Sequence, residues 1–197
     1  MRRTKKVSQS PTRGKNQLRI IGGSLRGRKI DFYVTEGLRP TLDRVRETLF
    51  NWLMGDIAGA SCLDLFAGSG ALGYEALSRG AKHVSFVEPN PLVSQQIKTN
   101  LNLLSINNAQ VYQQTADEFL NNNQQIFDLV FLDPPFAQGL LQPTLKRLCQ
   151  SPHLAKQALI YIEQEAKAHA IESNDLWRVL KSKHTSRFNY QLVQLAN

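Results

Sequence analysis

The sequence holds only two cysteines, Cys62 and Cys149, at no metal-ligand spacing, and Cys62 falls inside an apolar run. That is the usage of reduced packing residues and not of a disulfide scaffold or a zinc site. Its four histidines are scattered with no pair at ligand spacing, so no metal centre is expected. Long apolar runs are also missing. The longest, residues 129–132 and 159–162, are strand-sized and far short of a membrane span. Residues 1–17 are basic and polar with no apolar stretch, unlike a signal peptide. A cytoplasmic protein without membrane attachment is expected, with a monomer as the default because no dimerisation signal stands out.

Acidic residues are scarce at one end. Residues 1–46 hold 13 Lys/Arg and three Asp/Glu (Asp31, Glu36, Asp43), a balance of +10. The remaining 151 residues carry 11 basic and 13 acidic groups, a balance of −2. A solvated surface mixes both signs, so this one-sided excess points to a phosphate-rich partner. An anionic membrane fits less well, since residues 2–15 lack the bulky apolar face of an interfacial helix.

What is present is material for one packed domain: 197 residues, 42% of them hydrophobic and 20% charged. Residues 1–17 form a basic tail expected to lack fixed structure without a partner. Residues 18–40 form a small extension, in which two β-like runs, 18–21 and 28–32, flank a Gly22-Gly23-Ser24 turn. From Thr41 a helical pattern begins, with Leu42, Val45, Leu49 and Leu53 at spacings of three and four. Within the domain at 41–197, strand-like runs at 61–66, 84–88, 111–113, 127–132 and 159–163 alternate with helical stretches. That rhythm implies a parallel sheet covered on both faces. The runs at 176–183 and 188–195 are joined by a link too short for a crossover helix, so they pair antiparallel. The expected fold is therefore α/β: the Rossmann-like class I methyltransferase plan, a seven-stranded, mostly parallel sheet closed by an antiparallel terminal hairpin, plus the small N-terminal β-hairpin.

Two motifs carry chemistry. Gly68, Gly70 and Gly73 satisfy G-x-G-x-x-G after a strand, and Glu88 ends the next strand. This is the dinucleotide fingerprint, and glycines with a ribose-binding acid serve any adenosine-containing cofactor. Asp64, just before the loop, is awkward for a pyrophosphate and favourable for a cationic ligand such as a sulfonium amino acid. S-adenosylmethionine is thus favoured over NAD, and a dehydrogenase would also lack an evident acid/base residue. Asp117, after the third strand run, falls where an adenine amino group is held; its other reading is a helix-terminal carboxylate, with Thr115 or Asp117 as the cap.

The second motif is Asp133-Pro134-Pro135-Phe136, at the end of the fourth strand run. The prolines stiffen the loop and remove donors, leaving the Asp133 carboxylate and the Pro134 carbonyl as fixed acceptors. An exocyclic amine offers two N–H donors but is a poor nucleophile, because its lone pair is delocalised into the ring. Hydrogen bonds to both acceptors favour a pyramidal nitrogen and stabilise charge growing on it during in-line transfer. Phe136 can stack on a base presented outside its helix. The motif leaves N6 of adenine and N2 of guanine equally open.

With both motifs in place the sequence resembles the RsmD-type family, the 16S ribosomal RNA guanine N2-methyltransferases. The resemblance spans residues 19–195. It rests on Arg19-Ile20-Ile21-Gly22-Gly23, Arg26-Gly27-Arg28, Gly37-Leu38-Arg39-Pro40-Thr41, Asp43-Arg44-Val45-Arg46-Glu47-Thr48-Leu49-Phe50-Asn51-Trp52, the glycine loop and D-P-P-F. It implies methylation of guanine 966 of 16S rRNA in an assembling small subunit, with adenosylmethionine as donor. The implied catalytic residues are Asp133, Pro134 and Phe136. Those expected at the cofactor are Arg39, Thr41, Asp64, Phe66, Ala67, Gly68, Gly70, Glu88, Asp117 and Asp133. Those expected at RNA are Arg26, Arg28, Arg39, Arg44 and Arg46, although Arg44 and Arg46 also read as the exposed face of an amphipathic helix. The rivals are a DNA adenine-N6 methyltransferase, which usually needs a recognition domain that 197 residues hardly accommodate, and a non-catalytic RNA-binding protein on the same fold.

The basic tail generates one test. Deleting it is expected to weaken RNA binding and to flatten the dependence of affinity on salt, since fewer phosphate contacts release fewer counterions. A salt slope unchanged by the deletion would refute that role.

Overall fold

The computed structural model describes residues 16–33, 42–136, 138–174 and 176–196. The chain opens with β1 (Asn16–Arg19) and β2 (Lys29–Phe32), an antiparallel hairpin that pairs Leu18 with Ile30. Then follow α1 (Asp43–Trp52), β3 (Ser61–Asp64), α2 (Ala71–Ser78), β4 (His83–Val87), α3 (Pro91–Leu103), β5 (Ala109–Tyr112) and α4 (Ala116–Asn122). The rest is β6 (Phe127–Leu132), α5 (Leu141–Gln150), β7 (Leu154–Glu165), β8 (Trp177–His184) and β9 (Phe188–Leu195). The expected hairpin and the alternating plan are both present.

β3 to β9 form one seven-stranded sheet in the order β5-β4-β3-β6-β7-β9-β8. β5, β4, β3, β6 and β7 run parallel, and β9 with β8 closes the edge antiparallel. Successive side chains of a strand point to opposite faces, so each central strand feeds two cores. Cys62, Phe86, Leu129, Phe131 and Tyr161 pack under α1, α2 and α3, together with Leu18, Ile20, Ile30 and Phe32 of the hairpin. Leu63, Val87, Val130, Leu132, Ile160 and Ile162 pack under α4 and α5. The chain order reverses at β3, with β4 on one side and β6 on the other. Open α/β sheets bind ligands at such a switch point, beyond the carboxyl ends of the strands.

Local signals set the helix starts. Pro91 opens α3, and the Asn90 side chain accepts from the N–H groups of Leu92 and Val93. Thr115 and Glu118 form a reciprocal capping box on α4. Thr115 is thus the cap, and Asp117 stands beside it in the first turn. The elements depart from expectation in three places. α1 begins at Asp43, and Thr41 lies outside the described residues. β1 begins at Asn16, inside the stretch read as tail. β7 starts at Leu154 rather than 159, because Leu154 already pairs with Phe127 before a bulge in which Gln157 takes φ 64°. The bulge breaks the apolar alternation that would have announced the longer strand.

The hairpin is seated on α2 by buried polar groups. Glu75 accepts from the backbone N–H of Ile21 (2.9 Å) and Gly22 (2.8 Å) and from Arg79 Nε (2.9 Å). One turn on, the Ser78 carbonyl accepts from Ser24 N–H at 2.7 Å, and Ser78 Oγ accepts from Leu25 N–H at 2.9 Å. This approach is why Gly23 is glycine: its φ is +77°, and a Cβ would lie 1.9 Å from the Ser78 carbonyl oxygen.

Arg46 corrects an expectation. It was read as an RNA-binding or solvent-facing residue, but it is 0% exposed. Its Nη2 donates to the Arg19 carbonyl (2.9 Å) and to Asp43 (2.6 Å), and its Nη1 lies 3.6 Å from Glu75. The physical reason is helical spacing: Arg46 stands on the same stripe as Leu49 and Phe50, which are fully buried. It therefore ties α1, β1 and α2 together from inside.

Replacing Glu75 by Ala would strip Arg46 of its buried counter-charge and Ile21 and Gly22 of their acceptor. The expected loss of unfolding free energy in urea is about 3–5 kcal/mol, the usual cost of breaking a buried charge pair by removing one partner. A loss below about 1 kcal/mol, the scale of an exposed pair, would show that this network does not seat the hairpin.

Candidate active site

The parallel strands bring their carboxyl ends to one edge, and a cleft of about 1150 Å³ opens there. The loop after β3 forms its floor. Leu65 N–H donates to the Phe131 carbonyl and Ala67 N–H to the Val87 carbonyl, anchoring the turn to β6 and β4. Gly68 (φ 49°) and Gly70 (φ 79°) then reverse the chain in the left-handed region, delivering it into α2. Gly73 keeps α2 close to the sheet, since a Cβ there would lie 2.1 Å from the Phe86 ring.

Two carboxylates bracket this loop. Asp64 ends β3, is almost wholly buried, and accepts from Gly73 N–H at 3.1 Å. Burial pushes its carboxyl up from 3.8 to about 7; the Gly73 N–H pulls it back in part and the nearby Glu88 charge pushes further. Glu88 follows β4 and takes Gly68 N–H (3.0 Å) on one oxygen and Asn90 N–H (2.8 Å) on the other. Burial holds it above its ordinary value, against those two donors. Phe66, Ala67, Gly68, Asp117 and Leu42 line the same cleft. Asp117 is largely exposed and pairs with Arg147 Nη1 on α5 at 2.9 Å; Arg147 Nη2 also reaches Asn121.

The second motif closes the cleft from the β6 side. Asp133 is half-buried, Pro134 is buried, and Phe136 is 40% exposed at the mouth. Asp133, Pro134, Phe136, Asp64, Phe66, Ala67, Gly68, Glu88 and Asp117 thus line one cleft. Gly70 stands behind the loop as the residue before α2. Arg26, Arg28 and Arg44 are exposed, whereas Arg46 is interior. Arg39 and Thr41 lie outside the described residues.

Among the cleft residues not anticipated are Glu163, Arg187 and Phe188. Glu163 is buried near the end of β7, and its Oε2 accepts from the Tyr161 hydroxyl at 2.8 Å. Burial pushes its carboxyl up to about 7, against the Tyr161 hydrogen bond. Tyr161 is itself raised well above its ordinary value, first by burial and then by the Glu163 and Asp133 charges. The missed signal was positional. Glu163 ends the apolar run 159–162 as Asp133 ends 129–132. Among the described residues no group of three or more His, Cys, Asp or Glu side chains is placed to hold a metal ion. Nor is any helix among them long and apolar enough to cross a membrane.

Comparison with known proteins places these features in company. The family described as Conserved hypothetical protein 95 matches residues 18–194. Ribosomal RNA small subunit methyltransferase D of Haemophilus influenzae is 48% identical over 193 residues, covering 96% of this chain and 99% of that protein. Its namesake from Escherichia coli K12 is 46% identical over 181 residues, covering 92% of this chain and 91% of that one. The solved structure of yhhF from Escherichia coli, a methyltransferase candidate, superposes with a TM-score of 0.82 at 46% identity, over 92% of this chain and 99% of that one.

The raised carboxyls carry a sign that can be tested. Asp64 binds its proton more tightly folded than unfolded, so its contribution to stability is complete below the unfolded value of 3.8 and lost as pH rises through about 7. Glu163 acts in the same direction. The unfolding free energy of the ligand-free protein is therefore expected to fall between roughly pH 4 and roughly pH 7, and Asp64→Asn is expected to flatten that fall. Identical pH profiles for the two proteins would rule Asp64 out as the source.

Proposed function

The chain belongs to the Conserved hypothetical protein 95 family, and we propose that it transfers a methyl group from S-adenosylmethionine to the exocyclic N2 of a guanine in 16S ribosomal RNA. The substrate in this reading is an assembling small ribosomal subunit in the cytoplasm, met by a monomer. One observation carries it: Asp133 and Pro134 line the same cleft as the glycine loop. The curated relatives named as ribosomal RNA small subunit methyltransferases, at 46–48% identity over nearly the whole chain, supply the RNA context.

The donor set fits the cofactor. A buried carboxyl raised to about 7 is costly to ionise alone, and a ligand bearing a sulfonium and an ammonium supplies the missing positive charge. Asp64, beneath the loop, would face that cationic portion. Glu88, held open by Gly68 and Asn90 N–H groups, keeps lone pairs for ribose hydroxyls. Phe66, Ala67, Gly68 and Gly70 shape the floor, and Asp117 stands at the adenine end. Arg39 and Thr41 join this set through the family resemblance. When bound, the cofactor supplies an electrophilic methyl group.

The remaining chemistry belongs to the chain. Asp133 and the Pro134 carbonyl accept the two amine N–H groups, turn the nitrogen lone pair towards the methyl, and stabilise the positive charge that develops. Phe136, at the mouth, stacks on the base once it leaves its helix. Arg26, Arg28 and Arg44 present positive charge to phosphates around the cleft.

Labelled adenosylmethionine with small subunits from cells lacking this protein is expected to yield N2-methylguanosine on nucleoside analysis. Asp133→Ala is expected to reduce turnover by on the order of 10²–10³ or more, with cofactor affinity changed no more than a few-fold. Parallel loss of both would make Asp133 structural. N6-methyladenine in duplex DNA would overturn the substrate, and no transfer to any nucleic acid would overturn the reaction.

A further inference from the structure

We propose that Glu163 is the residue that selects guanine, by accepting the N1–H of the target base beside the amine that Asp133 holds. This deepens the guanine-N2 reading above and rests on it. β6 and β7 are parallel neighbours, and Leu132 pairs with Ile162. The residue after each of these is a carboxylate, Asp133 just past the end of β6 and Glu163 within β7. Both line the cleft. Among the described residues, a protein donor takes only one Glu163 oxygen, Oε2, through the Tyr161 hydroxyl. That bond fixes the side chain and leaves the other oxygen as an acceptor.

The chemistry of the bases makes this placement selective. Guanine N2 is flanked on the Watson–Crick edge by N1–H, a donor. Adenine N6 is flanked by N1, and cytosine N4 by N3, both acceptors whose lone pairs would oppose a carboxylate. In its ionised form, a second fixed acceptor next to the amine site therefore complements guanine and opposes the other two amino bases, by pairing in one case and lone-pair repulsion in the others. The Asp133-Pro134 pair, which only counts the two hydrogens of an amine, makes no such distinction. Burial of Glu163 sharpens the effect, because an unpaired contact at a buried carboxyl is poorly rescued by solvent.

The test uses the full-length protein, small subunits reconstituted with 16S rRNA, and 2-aminopurine in place of guanine at the nucleotide that wild-type product mapping identifies. 2-Aminopurine keeps the amine but has an acceptor at N1. Wild type is expected to prefer guanine in kcat/KM by on the order of 10- to 100-fold. Glu163→Gln, whose amide can donate, is expected to reduce that preference at least about tenfold, with cofactor affinity little changed. The absent O6 of the analogue affects both proteins alike, so the change in ratio isolates the N1 contact. Equal use of both bases by wild type would overturn the proposal even if no variant folded. So would an unchanged ratio in Glu163→Gln, or a loss that simply follows cofactor affinity. If the wild-type product is not N2-methylguanosine, the guanine-N2 reading falls first and this inference with it, a failure identified by the product alone.

Discussion

The parallel register of β3, β6 and β7 is the constraint on which the site depends. Central strands of a sheet covered on both faces tolerate no charge along their length, and here Cys62, Leu63, Leu129–Leu132 and Leu159–Ile162 are all buried and apolar or nearly so. Ionisable groups are confined to the strand ends: Asp128 and Lys156 near the starts of β6 and β7, and Asp64, Asp133 and Glu163 towards the carboxyl edge. Because the strands are parallel and in register, they run out at the same edge. Asp64, Asp133 and Glu163 are neighbours for that reason, with Glu88 contributed in the same way by β4. The cleft is acidic because the ladder is parallel.

An acidic, partly buried cleft is electrostatically expensive, and the protein relieves each carboxylate by a different donor. Asp64 has the Gly73 N–H, Glu88 has the N–H groups of Gly68 and Asn90, and Glu163 has the Tyr161 hydroxyl. None of these donors brings full positive charge, and burial still raises all three above their ordinary values. In the proposed reading the residual cost is removed by ligands whose polarity is opposite: a cationic methyl donor on the β3 side, and an edge rich in N–H groups on the β6–β7 side. A pyrophosphate at the same loop would add negative charge to Asp64 and Glu88 together. The fingerprint common to both cofactor classes is thus resolved by charge and not by its glycines.

Much of this was legible in the sequence, because the signals were local. The strand–loop–helix at Gly68–Gly73 and the stiff Asp133-Pro134-Pro135-Phe136 exit each announce themselves within a dozen residues. The alternation of apolar runs with helical stretches gave the sheet, and a link too short for a helix gave the antiparallel hairpin. What escaped was pairwise and non-local. Glu163 matters because Ile162 lies opposite Leu132, and register between two strands some 30 residues apart leaves no mark in either. Arg46 escaped for a different reason. Its spacing from Leu49 and Phe50 placed it on the buried stripe of α1, but its position within a basic stretch suggested a surface. Periodicity outweighed composition.

That interior arginine gives the N-terminal hairpin a defined place. Arg46 holds the Arg19 carbonyl, and Glu75 holds the next two backbone amides but one, at Ile21 and Gly22. The hairpin that exposes Arg26 and Arg28 is therefore rigidly tied to α2, the helix that begins at the glycine loop. α1 shares the same knot, exposes Arg44 in its first turn, and is preceded by Leu42 at the rim of the cleft. Phosphate-binding charge and methyl-transfer geometry consequently belong to one body. In the proposed reading a nucleic acid seated on the exposed arginines would meet the cleft at a fixed offset, so that binding energy gained at the backbone would be available to hold one particular nucleotide at Asp133. Were the hairpin loosely attached, the same charge would raise affinity for any RNA without raising the rate at any one base.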